Sequence, residues 1–284
     1  MVETSIDVND LKSHAANIRK SILQIAEQSS GPSHIGGSFS IVEILTYLYG
    51  HYLNIKIDDP LWMQRDRFIL SKGHAALGFY VALAEFGIMP ESVLGSYKKD
   101  ESKIIAHPIQ DLEFGIESSN GSLGHGLAFG VGLAWATRAK SQENRIVVLL
   151  GDGECNEGSI WEAAMSAAHL KLTNITAIVD ANGLQSDGTT ESVMKINQIE
   201  NVWKSFGWGT RKVNGHDFTE IDNAFNASQM TSAPLVIIAE TTKGKGVSFM
   251  ENNNEWHHGR ITKTLLEQAV GEIESDTASR RRPV

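Results

Sequence analysis

The chain is poor in the residues that staple, stiffen or span. It holds one cysteine, Cys155, in 284 residues, which excludes an internal disulfide framework and a zinc site built from clustered thiolates. Six prolines are scattered through it, and no Pro- or Ser-rich linker divides it. No apolar run approaches the ~20 residues a transmembrane helix requires, so no membrane association is expected. The opening MVETSIDVNDLK has neither a basic flank nor an apolar core. No secretory signal is therefore expected, and the cytoplasm is the expected compartment. Positive charge is also scarce: 25 Lys and Arg stand against 34 Asp and Glu, a formal charge of -9. A duplex repels such a surface, so no nucleic-acid partner is expected, and the basic run Arg280-Arg281-Arg282 reads as a solvated chain end.

The remaining composition is that of a soluble globular protein, 41% hydrophobic and 21% charged with a mean hydropathy of -0.18. No internal repeat is present. Residues 10–28 place Leu11, Ala15, Ile18, Ile22, Ile25 and Ala26 at helical spacing, which predicts a helix with Asp10 as its cap. The stretch SSGPSHIGGS interrupts it, and helices are predicted again over 39–50 and 74–87.

From residue 145 the pattern becomes strand, Gly-rich turn, helix, strand. Ile146–Leu150 is wholly apolar and β-branched-rich, as a parallel strand buried on both faces should be, and it ends in Gly151-Asp152-Gly153. A helix follows with Ile160, Trp161, Ala164, Ala167, Ala168 and Leu172 expected on its buried side. Ile175–Val179 is a second strand, ended by Asp180-Ala181-Asn182-Gly183, and Leu235–Ala239 a third, ended by Glu240-Thr241-Thr242-Lys243-Gly244-Lys245-Gly246. Such alternation implies an α/β fold: a parallel twisted sheet flanked by helices on both faces. One domain is expected over 1–270, with 271–284 as a flexible tail. Ligands of such sheets bind where the strands' carboxyl ends open into loops, and all three ends carry glycine beside polar or charged groups.

Those loops suggest a chemistry. Asp152 and Asn182 each follow a buried strand and offer oxygen donors alone, which suits a hard cation, magnesium or calcium. With so little protein charge, magnesium would need an oxygen-rich partner such as a diphosphate. Equally, Asp152 could cap the next helix and Asn182 could make a turn. Of the ten histidines, His34, His74, His107, His125, His257 and His258 fall in Gly-rich or polar turns. Several of them converging on one strand-end cleft would suit a polyanionic ligand and proton transfers to oxygen. No GxGxxG follows the first strand and no GxxxxGK[ST] occurs, so dinucleotide and P-loop readings lack their defining residues.

Residues 151–158 (GDGECNEG) together with 180–187 (DANGLQSD) resemble the thiamin diphosphate motif of transketolases. Four further blocks are similar to the same family in the same order: SHIGGSFSIVEIL at 33–45, RDRFILSKGHAALGFY at 65–80, SSNGSLGHGLAFGVGLA at 118–134 and TTKGKGVSFMENNNEWHHG at 241–259. The likeness implies that Asp152 and Asn182 side chains and the Leu184 carbonyl hold Mg2+, with Ca2+ or Mn2+ as substitutes. It implies that Gly153 gives a backbone N–H to the cofactor diphosphate, and that His74, Lys243 and one of His257 and His258 also contact it. His257 is the expected one, by its place after Trp256. Gly121, Ser122 and Leu123 would lie against the aminopyrimidine, and Glu157 at a subunit contact linking two active sites. His34, His107 and His257 are the expected catalytic residues, the first two holding substrate oxygens and the third moving protons. The chain departs from the family at Ser33, where glycine is usual, at His125, where glutamine is frequent, and in having two histidines before Gly259.

The resemblance also implies an absent half. Full-length transketolases have a further domain whose glutamate protonates the pyrimidine ring, and 261–284 are too few residues to supply it. The expected protein is therefore the N-terminal subunit of a split transketolase, moving a two-carbon ketol unit from a ketose phosphate to an aldose phosphate. It would work with a separate pyrimidine-domain subunit in an α2β2 assembly. Alternatives are a transketolase-like subunit of a specialised pathway acting on an unusual sugar, the α subunit of a 2-oxoacid dehydrogenase, and a degenerate subunit that only supports a partner.

Overall fold

A computed structural model describes residues 6–29, 31–226 and 232–280. Five strands form one sheet: β1 (Arg67–Leu70), β2 (Ile146–Gly151), β3 (Ile175–Ala181), β4 (Gly209–Asn214) and β5 (Leu235–Glu240). Their order is β1-β2-β3-β5-β4 and every neighbouring pair is parallel. The α/β expectation holds. Alternate side chains of each central strand enter opposite layers. Val147, Leu149, Ile178 and Ile237 join a core with Ile18 and Ile22 of helix Val8–Gln28 and Leu77 of helix Ala76–Glu85. Ile146, Val148, Leu150, Val179 and Val236 join a second core with Leu127 of helix His125–Ala139, Ile160 of helix Gly158–His169, and Trp203. Complete burial of such side chains stabilises the fold by about 1.5–3 kcal/mol each, which is why the uninterrupted apolar runs become central strands.

The structure revises several local expectations. The first helix is capped by Asp7, whose carboxylate accepts from the N–H groups of Asn9 and Asp10 at 3.0 and 3.1 Å; Asp10 lies in the first turn. The helix expected over 39–50 is divided into Gly36–Phe39, Val42–Tyr47 and a π-turn at Leu48–Tyr52. On helix Gly158–His169 the buried positions are Ile160, Ala163, Ala164 and Ala167; Trp161 and Ala168 are half-buried, and Leu172 is buried beyond the helix end. The expected tail from 271 begins inside a helix, Lys263–Arg280, and its last four residues lie outside the described ones. The Cys155 thiol is fully buried and burial pushes its pKa up, so it is a packed rather than a reactive group. Among the described residues, no helix is long and apolar enough to cross a membrane.

Helix His125–Ala139 sits close to the sheet because two of its glycines face it. A Cβ on Gly130 would lie 2.6 Å from Val148 Cγ2, and one on Gly126 would lie 2.4 Å from Ser71. Gly132 on the same helix is exposed with nothing within 4 Å. Gly130→Ala should therefore destabilise by about 1–3 kcal/mol through overpacking, whereas Gly132→Ala should stabilise by about 0.5–1 kcal/mol through the lost entropy of glycine. Urea denaturation of both variants checks this; equal responses would contradict the close packing.

Candidate active site

At the carboxyl edge of the sheet lies a cavity of about 380 Å³ lined from four strand ends: Lys72 and His74 after β1, Asp152 and Gly153 after β2, Asn182, Leu184 and Gln185 after β3, and Lys243 after β5. His107, Gly121, Leu123, Glu154, Glu157 and His257 are among its other lining residues. A larger cleft of about 600 Å³ lies between the first helix, the last helix and Lys245-Gly246. It draws on none of the ends of β1, β2 and β3, and its Arg19 guanidinium is closed on Glu43 through two hydrogen bonds of 2.7 and 2.8 Å. The chemistry therefore belongs to the smaller cavity.

The three expected cation ligands occupy one web. Asp152 accepts from the Gly153 N–H at 2.8 Å through Oδ1 and from the Gly183 N–H at 2.7 Å through Oδ2. Asn182 Oδ1 accepts from the Leu184 N–H at 3.1 Å, and the Leu184 carbonyl accepts from Lys243 Nζ at 3.2 Å. Asp152 does cap, but it caps the short turn Gly153–Asn156; Glu157 takes the N-cap position of the following helix. Burial and the nearby charge of Asp180 push the Asp152 carboxyl up to about 6, against the pull of its two backbone donors. Among the described residues no group of three or more His, Cys, Asp or Glu side chains could hold a metal ion. A cation here would have to take amide and carbonyl oxygens and the oxygens of a ligand. The site fits such a ligand on a second observation. Gln185 Nε2 is buried without a hydrogen-bond partner, 3.1 Å from where a Cβ on Gly153 would stand. A donor left orphaned beside a glycine too crowded for a side chain suits an oxygen-rich anion.

Behind these residues lie two buried carboxylates that sequence reasoning misses. Asp180, with no solvent exposure, accepts from Lys72 Nζ, Thr241 Oγ1, Ser40 Oγ at 2.7 Å and Asn182 Nδ2 at 2.8 Å. Burial pushes its carboxyl up, but the Lys72 charge and the hydrogen bonds outweigh that and hold it below the usual carboxylate range. Glu154 accepts from Ser71 Oγ, the Gly124 N–H at 2.9 Å and the Gly151 N–H at 3.0 Å, so it ties the turn after Leu123 to the end of β2. A charged residue ending an otherwise apolar strand was the available signal for Asp180. Lys72, two residues after β1 and 1% exposed, could be found only once β1 was recognised.

Five histidines converge. Ser33 and Gly259 form an isolated antiparallel bridge, with N–H···O distances of 2.9 and 3.1 Å, that brings 34 beside 257–258. The His34 ring lies 5.6, 5.8, 5.5 and 4.5 Å from those of His74, His107, His257 and His258, and His74 stacks on His257 at 5.3 Å. The close approach needs Gly36, where a Cβ would meet the Trp256 carbonyl at 2.8 Å. Both histidines of the pair are thus present, His257 against the cavity and His258, exposed, against His34. His34 and Ser122 lie outside the cavity lining, and Ser122 is exposed. Burial first, then neighbouring cations and histidines, lowers His34 to about 3, His257 to about 4, His107 below its usual value and His74 far below it. The rings are neutral at pH 7. Lys243 Nζ donates to His257 Nδ1 at 2.8 Å, which leaves the His257 proton on Nε2. Burial and Lys72 lower Lys243 to about 8.

Residues 12–273 match the family described as transketolase, thiamine diphosphate binding domain. The chain belongs to this transketolase family. It is 39% identical to one subunit of an apulose-4-phosphate transketolase of Actinobacillus succinogenes, over 96% of this chain and 99% of that protein. It is 36% identical to a 6-deoxy-6-sulfo-D-fructose transketolase subunit of a Clostridium species, over 98% of this chain and 100% of that protein. Among solved structures, the transketolase of Campylobacter jejuni superposes with a TM-score of 0.84 at 27% identity, over 95% of this chain and 43% of that chain. The chain thus spans about two fifths of the full-length transketolases it matches and the whole length of the single subunits.

The buried histidines carry a pH signature. His34 and His257 have folded-state values of about 3 and about 4, below the unfolded value of about 6.5. The unfolded chain binds more protons throughout that interval, so stability is complete above about pH 6.5 and declines as pH falls toward 4. His34→Asn should flatten the decline in melting temperature between about pH 7 and pH 4. An unchanged slope would contradict the burial of a neutral ring.

Proposed function

We propose that this chain is the diphosphate-binding subunit of a two-chain, thiamin diphosphate- and magnesium-dependent transketolase that moves a two-carbon ketol unit from a ketose to an aldose. The observation that carries the reading is the gathering of Asp152, Asn182, Gly153, Lys243 and the histidines around one strand-end cavity in a transketolase-family fold. Asp152, Asn182 and the Leu184 carbonyl would hold Mg2+. The Gly153 N–H, Lys243, His74 and the orphaned Gln185 amide would bind the diphosphate, and Gly121, Ser122 and Leu123 would support the pyrimidine. Bound thiamin diphosphate supplies the carbon nucleophile and electron sink for cleaving the bond next to a ketose carbonyl. His34 and His107, neutral at working pH, would donate to or accept from sugar hydroxyls. His257, its Nδ1 already taken by Lys243, would move a proton at Nε2. Lys243 offsets part of the diphosphate charge, the Lys72 charge being balanced by Asp180.

Two relatives of matching length bear names of transketolase subunits, one for apulose-4-phosphate and one for 6-deoxy-6-sulfo-D-fructose. These names favour the specialised reading of the substrate, a less common ketose with an anionic group. Family membership weighs against a 2-oxoacid dehydrogenase, and the intact Asp152, Gly153 and Asn182 weigh against a degenerate subunit. The partner in this reading is a second, soluble cytoplasmic polypeptide carrying the pyrimidine-binding half. Its docking face is helices His125–Ala139 and Gly158–His169, which pack together and expose Phe129 at 40%, Trp135 at 52% and Met165 at 50%. Both helices begin at the cavity, just after Leu123 and Glu157, so a chain seated there also reaches the cofactor.

The purified chain with magnesium, thiamin diphosphate, a ketose phosphate and an aldose acceptor should show no turnover alone and gain it with that second polypeptide. Trp135→Asp should weaken the complex at least tenfold, read by analytical ultracentrifugation, with little change in the melting temperature of the isolated chain. Robust turnover by the chain alone would contradict the two-chain reading.

A further inference from the structure

Within the cation site just proposed, on which this inference rests, one ligand is a side-chain amide whose two ends differ in little but hydrogen bonding. An amide can present its oxygen or its NH2 to a cavity, and only its neighbours decide which. A cation accepts the oxygen alone. Two neighbours orient Asn182: the Leu184 N–H donates to its Oδ1 at 3.1 Å, and Asp180 receives its Nδ2 on Oδ2 at 2.8 Å.

Asp180 is built to accept and do nothing else. Its side chain has no solvent exposure and stands against the ammonium of Lys72, which is 1% exposed and also donates to the Gly37 carbonyl at 3.1 Å. Ser40 donates to the same Oδ2 at 2.7 Å, and Thr241 donates to Oδ1. Three of the four donors crowd Oδ2 and one reaches Oδ1, so the oxygen that meets Asn182 is already surrounded by donors. The Asn182 oxygen would meet repulsion there, and only its NH2 is tolerated.

We infer that Asp180 is a positioning residue for the cation site: held by Lys72, Ser40 and Thr241, it fixes the Asn182 amide with Nδ2 inward and with Oδ1, which keeps one lone pair beyond its bond from the Leu184 N–H, as the end available to Mg2+. The four donors come from the ends of β1 and β5, from the segment after Phe39 and from Asn182 itself. One carboxylate therefore sets the ligand in register with the loops that carry Lys243 and His74.

The test is a swap. In the full chain, the magnesium concentration that half-saturates thiamin diphosphate binding is measured by calorimetry, with the melting temperature of the ligand-free protein as the check on folding. Asn182→Asp keeps an oxygen ligand and adds charge, so a ligand-only role predicts equal or tighter binding. Positioning by Asp180 predicts at least a tenfold rise in the magnesium required, because two carboxylates now face each other. The triple variant Lys72→Met/Asp180→Asn/Asn182→Asp removes the ammonium that would oppose an amide NH2 at the Oδ2 position, restores an amide donating to a carboxylate, and should return the requirement to within about threefold of wild type. Should the single variant fail to fold, Lys72→Met/Asp180→Asn serves instead: it is expected to need at least tenfold more magnesium while reaching the wild-type endpoint. The inference is overturned if Asn182→Asp binds as tightly as wild type, if the triple variant is no better than Asn182→Asp, or if Lys72→Met/Asp180→Asn titrates unchanged. Magnesium-independent binding by the wild type would instead overturn the proposed cation site itself.

Discussion

A carboxylate without access to water, at the end of the central strand of a parallel sheet, holds this molecule's working edge together. Asp180 and Lys72 close a buried ion pair, and Ser40, Thr241 and Asn182 add hydrogen bonds to it. Burying two charges is costly unless geometry and additional donors compensate, and a buried pair adds specificity of arrangement more readily than net stability. Here the arrangement is the result. The ends of β1, β3 and β5 and the segment after Phe39 meet on one pair of oxygens, and β2 joins them through Glu154 and the Asp152–Gly183 hydrogen bond.

The electrostatics of the cavity follow from the same enclosure. Burial keeps His34, His74, His107 and His257 neutral, while the Lys72 charge is balanced by Asp180 and Lys243 donates to His257. Lysines and neutral donor–acceptor rings thus line one cavity. Neutral rings on His34, His74, His107 and His257 avoid the mutual repulsion that charged rings at 5.3–5.8 Å would suffer.

The legible parts of the chain are those whose signal is local. β2, β3 and β5 announce themselves because each is buried on both faces and must be apolar throughout. β1 escapes notice at four residues, too short to establish a run. β4 escapes because it is an edge strand whose polar Arg211 and Lys212 reach solvent. Asp10 rather than Asp7 looks like the cap because the apolar spacing begins at Leu11, whereas the backbone turns three residues sooner. In the site, Asp152 and Asn182 are visible as polar residues ending apolar strands. The meeting of the histidines is not visible, because it depends on the Ser33–Gly259 bridge, which joins distant parts of the chain. Asp180 is hidden for a different reason: its partners arrive from four segments, and its importance exists only in three dimensions.

The account centres on a divalent cation held by Asp152 and Asn182 against a diphosphate. Calorimetric titration of thiamin diphosphate into the chain, with and without magnesium, tests it most directly when wild type is compared with Asp152→Ala. The account predicts magnesium-dependent binding in the wild type that falls at least a hundredfold in the variant; equal affinity in the two proteins would contradict it.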